Sequence, residues 1–208
     1  MLTKAHTTVP VPAAAGARPP AIASPKLERL ASRLAGRLEA PGGPHRRKSI
    51  AADLAPSPAE RALLAARARD LEGALVPADP DVVQCAVAAV KAAGFAASGG
   101  EEGARLSLSL FEQALAGFPE WAVSEACARV LRGEAGIDPA YAPSAPQLAV
   151  LCRRIATPFR VEQARIAEIL DAEVYPVASA EERAAMVAAF ARLSREVEAS
   201  AQTRPVQA

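Results

Sequence analysis

Hydrophobic residues recur along most of the chain at spacings of three and four positions, which is the period of an amphipathic α-helix. No segment keeps the two-residue alternation of a half-buried strand, and alanine, the best helix former, is abundant. The pattern therefore predicts an all-α fold built as a small helical bundle. Helices are expected at about 26–39, 57–75, 81–93, 106–118, 119–132, 144–157, 159–175 and 180–199.

Local start and stop signals define several of these boundaries. Three capping boxes, in which a serine precedes a glutamate or glutamine by three positions, are expected to begin helices. They are Ser57–Glu60, Ser144–Gln147 and Ser179–Glu182. Pro158 and the pair Tyr175-Pro176 are expected to end the two helices that follow Ser144, because proline disfavours the helical conformation before it.

The larger apolar side chains concentrate at 80–175, so this range is expected to form the helical core domain. Alanine accounts for much of the 51 % hydrophobic content and buries little area, which predicts a single modest core. Residues 51–79 are expected to form a peripheral helix and linker, and 176–208 a C-terminal helix and tail. The pattern leaves open whether the helices at 26–39, 57–76 and 180–199 pack on the core, pair with a partner or fray.

Residues 1–50 are expected to form a disordered basic arm with a short amphipathic helix near 26–39. The arm has nine Lys or Arg and two acidic residues, a net charge of +7, whereas the other 15 basic and 21 acidic residues give −6. This asymmetry predicts either an anionic partner for the arm or attraction between arm and body. The short helix, with leucines every three or four positions, is suited to docking on the body, a partner groove or a membrane surface.

Arg46, Arg47 and Lys48 form the densest basic cluster, after a run of glycines and prolines. In the functional interpretation they contact nucleic-acid phosphates without reading the base sequence. In the alternative interpretation they belong to a solvated linker, since no aromatic residue is interleaved for base stacking.

Side chains suited to catalysis are scarce. His6 and His45 fall in segments expected to be disordered, so the core lacks the usual general base and metal ligand. No phosphate-binding glycine loop and no Cys-x-x-Cys pair occurs, and Cys85, Cys127 and Cys152 are expected to be small buried residues. The sequence therefore predicts a protein that is not an enzyme and uses no metal or cofactor.

The chain is expected to be cytoplasmic, without a membrane partner. No apolar run approaches the roughly 20 residues that a membrane-spanning helix needs. Prolines near the N-terminus also interrupt the apolar stretch that a signal peptide would require.

Trp121 is the only tryptophan of a chain with 4 % aromatic residues, and it lies off the main apolar face of its predicted helix. In one interpretation its ring covers the returning loop at 133–143, beside Tyr141 or Phe111, and its indole N–H meets a loop carbonyl. In the other, Trp121, Tyr141 and Pro143 form a partner-binding surface, because interfaces favour aromatic anchors.

The segment that begins with the Trp121 helix continues through the step Tyr141-Ala142-Pro143 into the helix start Ser144-Ala145-Pro146-Gln147-Leu148. This order resembles small phage and prophage replication proteins, among them the "loader and inhibitor" family that acts on the replicative helicase. The resemblance implies a non-enzymatic helical adaptor that binds a ring helicase with the help of a flexible tail. The basic N-terminal arm departs from the family's pattern, and a capped helix occupies the place of the expected C-terminal tail.

Three functions from different classes follow as hypotheses. The leading one is a helical adaptor in a phage-like or mobile-element DNA replication system, where it recruits or restrains a replicative helicase. The second is a nucleic-acid-binding accessory protein that uses the basic arm. The third is a structural or regulatory helical protein that self-associates through 180–199.

Overall fold

The computed structural model describes residues 18–40, 47–92, 100–138 and 142–202. This part of the chain contains seven helices and two three-residue strands, so the all-α prediction is confirmed. Of the arm predicted at the N-terminus, residues 1–17 lie outside the described part. The helices are α1 (Pro25–Ala35), α2 (Pro58–Ala74), α3 (Pro80–Ala92), α4 (Gly100–Leu115), α5 (Glu120–Leu131), α6 (Ala145–Leu170) and α7 (Ala180–Gln202), and the strands are β1 (Ser49–Ala51) and β2 (Glu173–Tyr175).

α6 is the longest helix, and the other packed helices are arranged along it. The sequence predicted two helices separated at Pro158, but the chain stays helical through this proline. Proline removes one helical hydrogen bond, yet this one lies on the solvent side of α6. Both halves of α6 bury a face, with Cys152 in the first half and Ile166 in the second fully buried. Packing along the whole length of α6 therefore outweighs the loss of one helical hydrogen bond at Pro158.

The first hydrophobic core lies between α3, α4, α5 and the first half of α6. It falls within the range predicted as the core domain. The side chains that build it are valines and leucines at helical spacing, closed by two phenylalanines. Its main members are Val83, Val87, Val90, Phe111, Leu115, Phe118, Val123, Cys127, Leu148 and Cys152.

A second hydrophobic core lies between α1, α2, β1 and the second half of α6. Its main members are Leu27, Leu30, Leu34, Ile50, Leu64, Leu71, Ile166 and Ile169. The sequence predicted one core and left open whether the helices at 26–39 and 57–76 pack on it. The prediction of a single core is wrong, because the leucine faces of α1 and α2 meet the apolar face of α6 and are buried there in a second core.

β1 and β2 pair in parallel, with Ser49 opposite Glu173 and Ala51 opposite Tyr175. The helix predicted to reach Tyr175 therefore ends earlier, and its last residues are extended. Backbone hydrogen bonds of 2.8 and 2.9 Å also join Glu39 to Ser49. The chain on both sides of segment 41–46 is thus attached to the second core.

α7 begins at the predicted capping box, where Ser179 and Glu182 exchange hydrogen bonds of 2.7 and 3.1 Å. Unlike the other helices, it contributes none of its described side chains to either core. Its described side chains are exposed, apart from the half-buried Ser194. Across the described ranges, no helix has the length and apolar character needed to cross a membrane.

Candidate functional site

Trp121 lies in the first turn of α5, and only 5 % of its surface is exposed. Its indole N–H donates a 2.7 Å hydrogen bond to the backbone carbonyl of Ala74 at the end of α2. Its ring meets Phe159 of α6 edge to face, with centroids 5.3 Å apart and planes at 85°. The packing interpretation therefore describes Trp121, and the partners that the structure shows are Ala74 and Phe159, neither of which was predicted. The predicted partner Tyr141 lies outside the described residues.

A small cluster around Trp121 joins the two cores. Trp121 and Ala122 of α5 pack with Ala156 of α6, and Leu75 and Phe159 lie against them. Leu75 and Phe159 also contact the second core, so the indole fills the space between α2, α5 and α6. Trp121 is consequently not the exposed aromatic anchor that the partner-binding interpretation required.

The other two residues of the predicted partner surface differ in position. Pro143 is buried and immediately precedes Ser144, the N-cap of α6. The Ser144 hydroxyl accepts from the Gln147 N–H, and the Gln147 side chain accepts from the Ser144 N–H at 2.8 Å. Tyr141 lies outside the described residues. Pro143 is thus part of the capped entry into α6.

The basic cluster is partly engaged with the body of the protein. Arg46 lies outside the described residues, and Arg47 is exposed. Lys48 is half-buried, and its Nζ lies 2.9 Å from the Oε2 atom of Glu168 on α6. Because this ion pair offsets the charge of Lys48, the cluster offers less free positive charge than its sequence indicates.

Further cations line a groove of about 610 Å³ between α1 and the start of α2. Lys26, Arg29 and Arg33 supply the charge, and Leu63 supplies a partly exposed apolar edge. Arg33 pairs with Glu60 at 2.5 Å. The groove therefore combines three cations with one carboxylate, a composition suited to an anionic ligand.

The largest exposed apolar surface on a single helix belongs to α7. Met186, Phe190, Leu193 and Val197, here called the α7 stripe, are all more than half exposed, and Phe190 reaches 72 %. The sequence predicted self-association of 180–199, but these residues were not identified as site residues. Their 4-3-4 spacing is the signal that could have found them, because it places all four on one side of a helix.

The described residues hold no group of His, Cys, Asp and Glu arranged to bind a metal ion. His6 and His45 both lie outside them. Cys127 and Cys152 are buried as expected, and burial raises the pKa of both thiols to about 12. Cys85 is exposed, contrary to the prediction, because it lies on the outer side of α3.

Comparisons with protein-family models, with curated proteins and with solved structures find no match to this chain.

Proposed function

We propose that this protein is a non-enzymatic helical adaptor of a phage-like or mobile-element DNA replication system, where it recruits or restrains a replicative helicase. The observation that supports a role in protein association is α7, a 23-residue helix whose apolar residues stay exposed while the other helices pack around two cores. The helicase itself is assigned to the body of the protein, beside the connection between α5 and α6. A contiguous apolar surface on a folded chain is typical of a site that binds another polypeptide.

The helicase is proposed as the target on the basis of the segment from Trp121 to Leu148. In the fold, α5 carries Trp121, buried Pro143 leads out of the connection, and Ser144 caps α6. Trp121 also holds α5 against α2 and α6. α5 and the start of α6 are therefore held in place on both sides of the connection, so the described faces of these two helices can meet a large partner with little rearrangement.

A retention experiment tests this proposal with one residue type at two places on α6. Val150 and Val161 are 50 % and 51 % exposed, but only Val150 lies in the half of α6 that follows the connection from α5. The tagged full-length protein is incubated with the purified replicative helicase of the host at low and moderate salt. Val150→Glu is expected to reduce the retained helicase severalfold, and Val161→Glu, the matched control, is expected to retain as much as the wild type.

Two outcomes contradict the helicase proposal. One is the absence of retained helicase with the wild-type protein at both salt concentrations. The other is an equal loss with Val150→Glu and Val161→Glu while both variants remain folded by circular dichroism, because the α5–α6 connection would then have no special role.

A second candidate function is nucleic-acid binding, and the groove beside α1 favours it. Lys26 and Arg29 are exposed cations that lie near one another there, in addition to the exposed Arg47. Cations of this kind contact phosphates, and such binding weakens as salt rises. Titration of single-stranded and duplex DNA is expected to show steep salt dependence and weaker binding by Lys26→Ala/Arg29→Ala and by Arg46→Ala/Arg47→Ala/Lys48→Ala. Weak binding that does not respond to salt would argue against this function.

A further inference from the structure

The α7 stripe has the geometry of a coiled-coil seam. Its four residues follow one another at intervals of four, three and four positions, as the a and d positions of two heptads do. At about 100° per residue they fall within roughly 60° of the helix circumference. From Glu181 to Ala199, the opposite side of α7 carries small or charged residues, such as Ala188 and Arg195. One narrow side of the helix is therefore suited to pairing with another helix.

We propose that the occupant of the α7 stripe is α7 of a second copy, and that the two helices pair in antiparallel orientation. This inference rests on the proposed function in one respect: both take α7 as a surface for association with another polypeptide. It assigns that surface to a homodimer and leaves the body of each copy available for the helicase.

The area of the stripe suits a weak dimer that depends on protein concentration. The α7 stripe exposes about 450 Å² in each copy, so a pair would bury at most about 900 Å², the size of weak and transient interfaces. Phe190 lies at the centre, next to Ala189, whose small side chain lets a partner helix approach closely. Large central anchors of this kind contribute most of the affinity of an interface.

Charge and shape favour the antiparallel orientation. Arg183 lies one helical turn before Met186 on the same side of α7. Parallel pairing would place the two Arg183 side chains beside each other and both protein bodies at the same end. Antiparallel pairing separates these charges, aligns the helix dipoles favourably and packs Phe190 on Leu193 of the second copy. Met186 then faces Val197 of the second copy.

A dimer of this kind makes the adaptor bivalent. The two bodies extend from opposite ends of the paired helices, so each dimer presents two copies of every surface on the body. A ring-shaped partner with repeated subunits would bind such a dimer more tightly than a single body, because the second contact forms at a high effective concentration.

Measurement of molar mass against protein concentration tests the dimer. For the full chain, light scattering is expected to show a rise from 21.5 kDa toward twice that value between low and high micromolar concentration. Phe190→Glu and Leu193→Glu are expected to remain monomeric. Ala188→Glu adds the same charge on the opposite side of α7 and is expected to behave as the wild type. All three variants should keep the wild-type unfolding midpoint under monomeric conditions, because α7 belongs to neither core.

Two mass results would overturn the inference. A wild-type protein that stays at 21.5 kDa at every concentration has no homodimer. A dimer that persists in Phe190→Glu and Leu193→Glu is formed by another surface.

Disulfide cross-linking tests the orientation, in a Cys85→Ser background that removes the exposed native thiol. A mixture of Met186→Cys and Val197→Cys chains is expected to form the mixed disulfide, because antiparallel helices place these positions opposite each other. Efficient cross-linking of Met186→Cys to itself would instead indicate parallel helices and overturn the antiparallel assignment.

The same variants separate this inference from the proposed function. If Phe190→Glu is monomeric and still retains the helicase, the dimer and the adaptor role both stand, with weaker retention expected from the loss of bivalence. If the wild type retains the helicase but is a monomer, only the dimer is disproved. If it dimerises and retains no helicase, only the helicase role is disproved.

Discussion

The indole N–H of Trp121 donates its 2.7 Å hydrogen bond to the carbonyl of Ala74, and this bond joins the two hydrophobic cores. Trp121 belongs to a helix of the first core, whereas Ala74 ends a helix of the second. Phe159 completes the contact from α6, which passes through both. The only tryptophan of the chain thus lies where the two hydrophobic cores meet.

Substitution of Trp121 is expected to destabilise the whole protein. Trp121→Ala leaves a cavity between the cores and should lower the free energy of unfolding by about 3–5 kcal/mol. Trp121→Phe keeps a ring beside Phe159 but loses the hydrogen bond to Ala74, and should cost about 1–2 kcal/mol. Urea unfolding followed by circular dichroism measures both, with the exposed Leu106→Ala as the control. A Trp121→Ala protein as stable as this control would contradict the bridging role.

Arg67 and Glu162 form the most buried ion pair among the described residues, between α2 and α6. Two hydrogen bonds of 2.7 and 2.8 Å connect them, and their side chains are 8 % and 21 % exposed. Arg67→Ala should cost about 3–5 kcal/mol, since it leaves the Glu162 carboxylate without its partner. The double variant Arg67→Met/Glu162→Leu should recover much of this loss, because no unpaired charge remains. Denaturant titrations of the single and double variants measure this coupling, and additive losses would contradict it.

The sequence predicted best those features that depend on neighbouring residues. Ser57, Ser144 and Ser179 all cap helices as expected, because a capping box requires only residues three positions apart. The apolar faces of the helices were also predicted, since they follow from the helical period.

Features that depend on residues far apart in the sequence were either not predicted or predicted wrongly. The bond from Trp121 to Ala74 joins residues 47 positions apart, and nothing near Trp121 in the sequence indicates that partner. The helical conformation at Pro158 also depends on residues distant in the sequence, because α2, α4 and α5 pack against α6 and maintain it. β1 and β2 are only three residues long and distant in the chain, so neither shows a strand pattern. For the candidate site, the sequence identified the segment 180–199, but only the structure shows that α7 remains uncovered.

The three cysteines should react very differently with an alkylating reagent. Burial raises the pKa of Cys127 and Cys152 to about 12, so at pH 8 almost none of either thiol is the reactive thiolate. Cys85 is exposed. Mass spectrometry after treatment of the native protein with iodoacetamide is expected to show one adduct, and three after unfolding. The Cys85→Ser variant, as the control, should give none while folded; rapid labelling of a second native thiol would contradict the burial of Cys127 and Cys152.

Acid should weaken two of the three capping boxes and leave the third unchanged. Hydrogen bonds from Ser57 and Ser179 hold the pKa values of Glu60 and Glu182 below the ordinary 4.5. Because these pKa values are lowered by folding, the stabilisation is complete above pH 4.5 and is lost as pH falls through the lowered values. Gln147, which occupies the same position in α6, does not titrate.

Amide hydrogen exchange of the first helical turns, measured from pH 6 to pH 3, is expected to show this difference. After correction for the intrinsic pH dependence of exchange, the starts of α2 and α7 should lose protection below pH 4.5, whereas the start of α6 should keep it. Glu182→Gln provides the matched control, because it converts the α7 box into the form found in α6 and should remove the acid response of α7 alone. Equal loss at all three helix starts would mean that acid acts through general unfolding instead of through the two carboxylates.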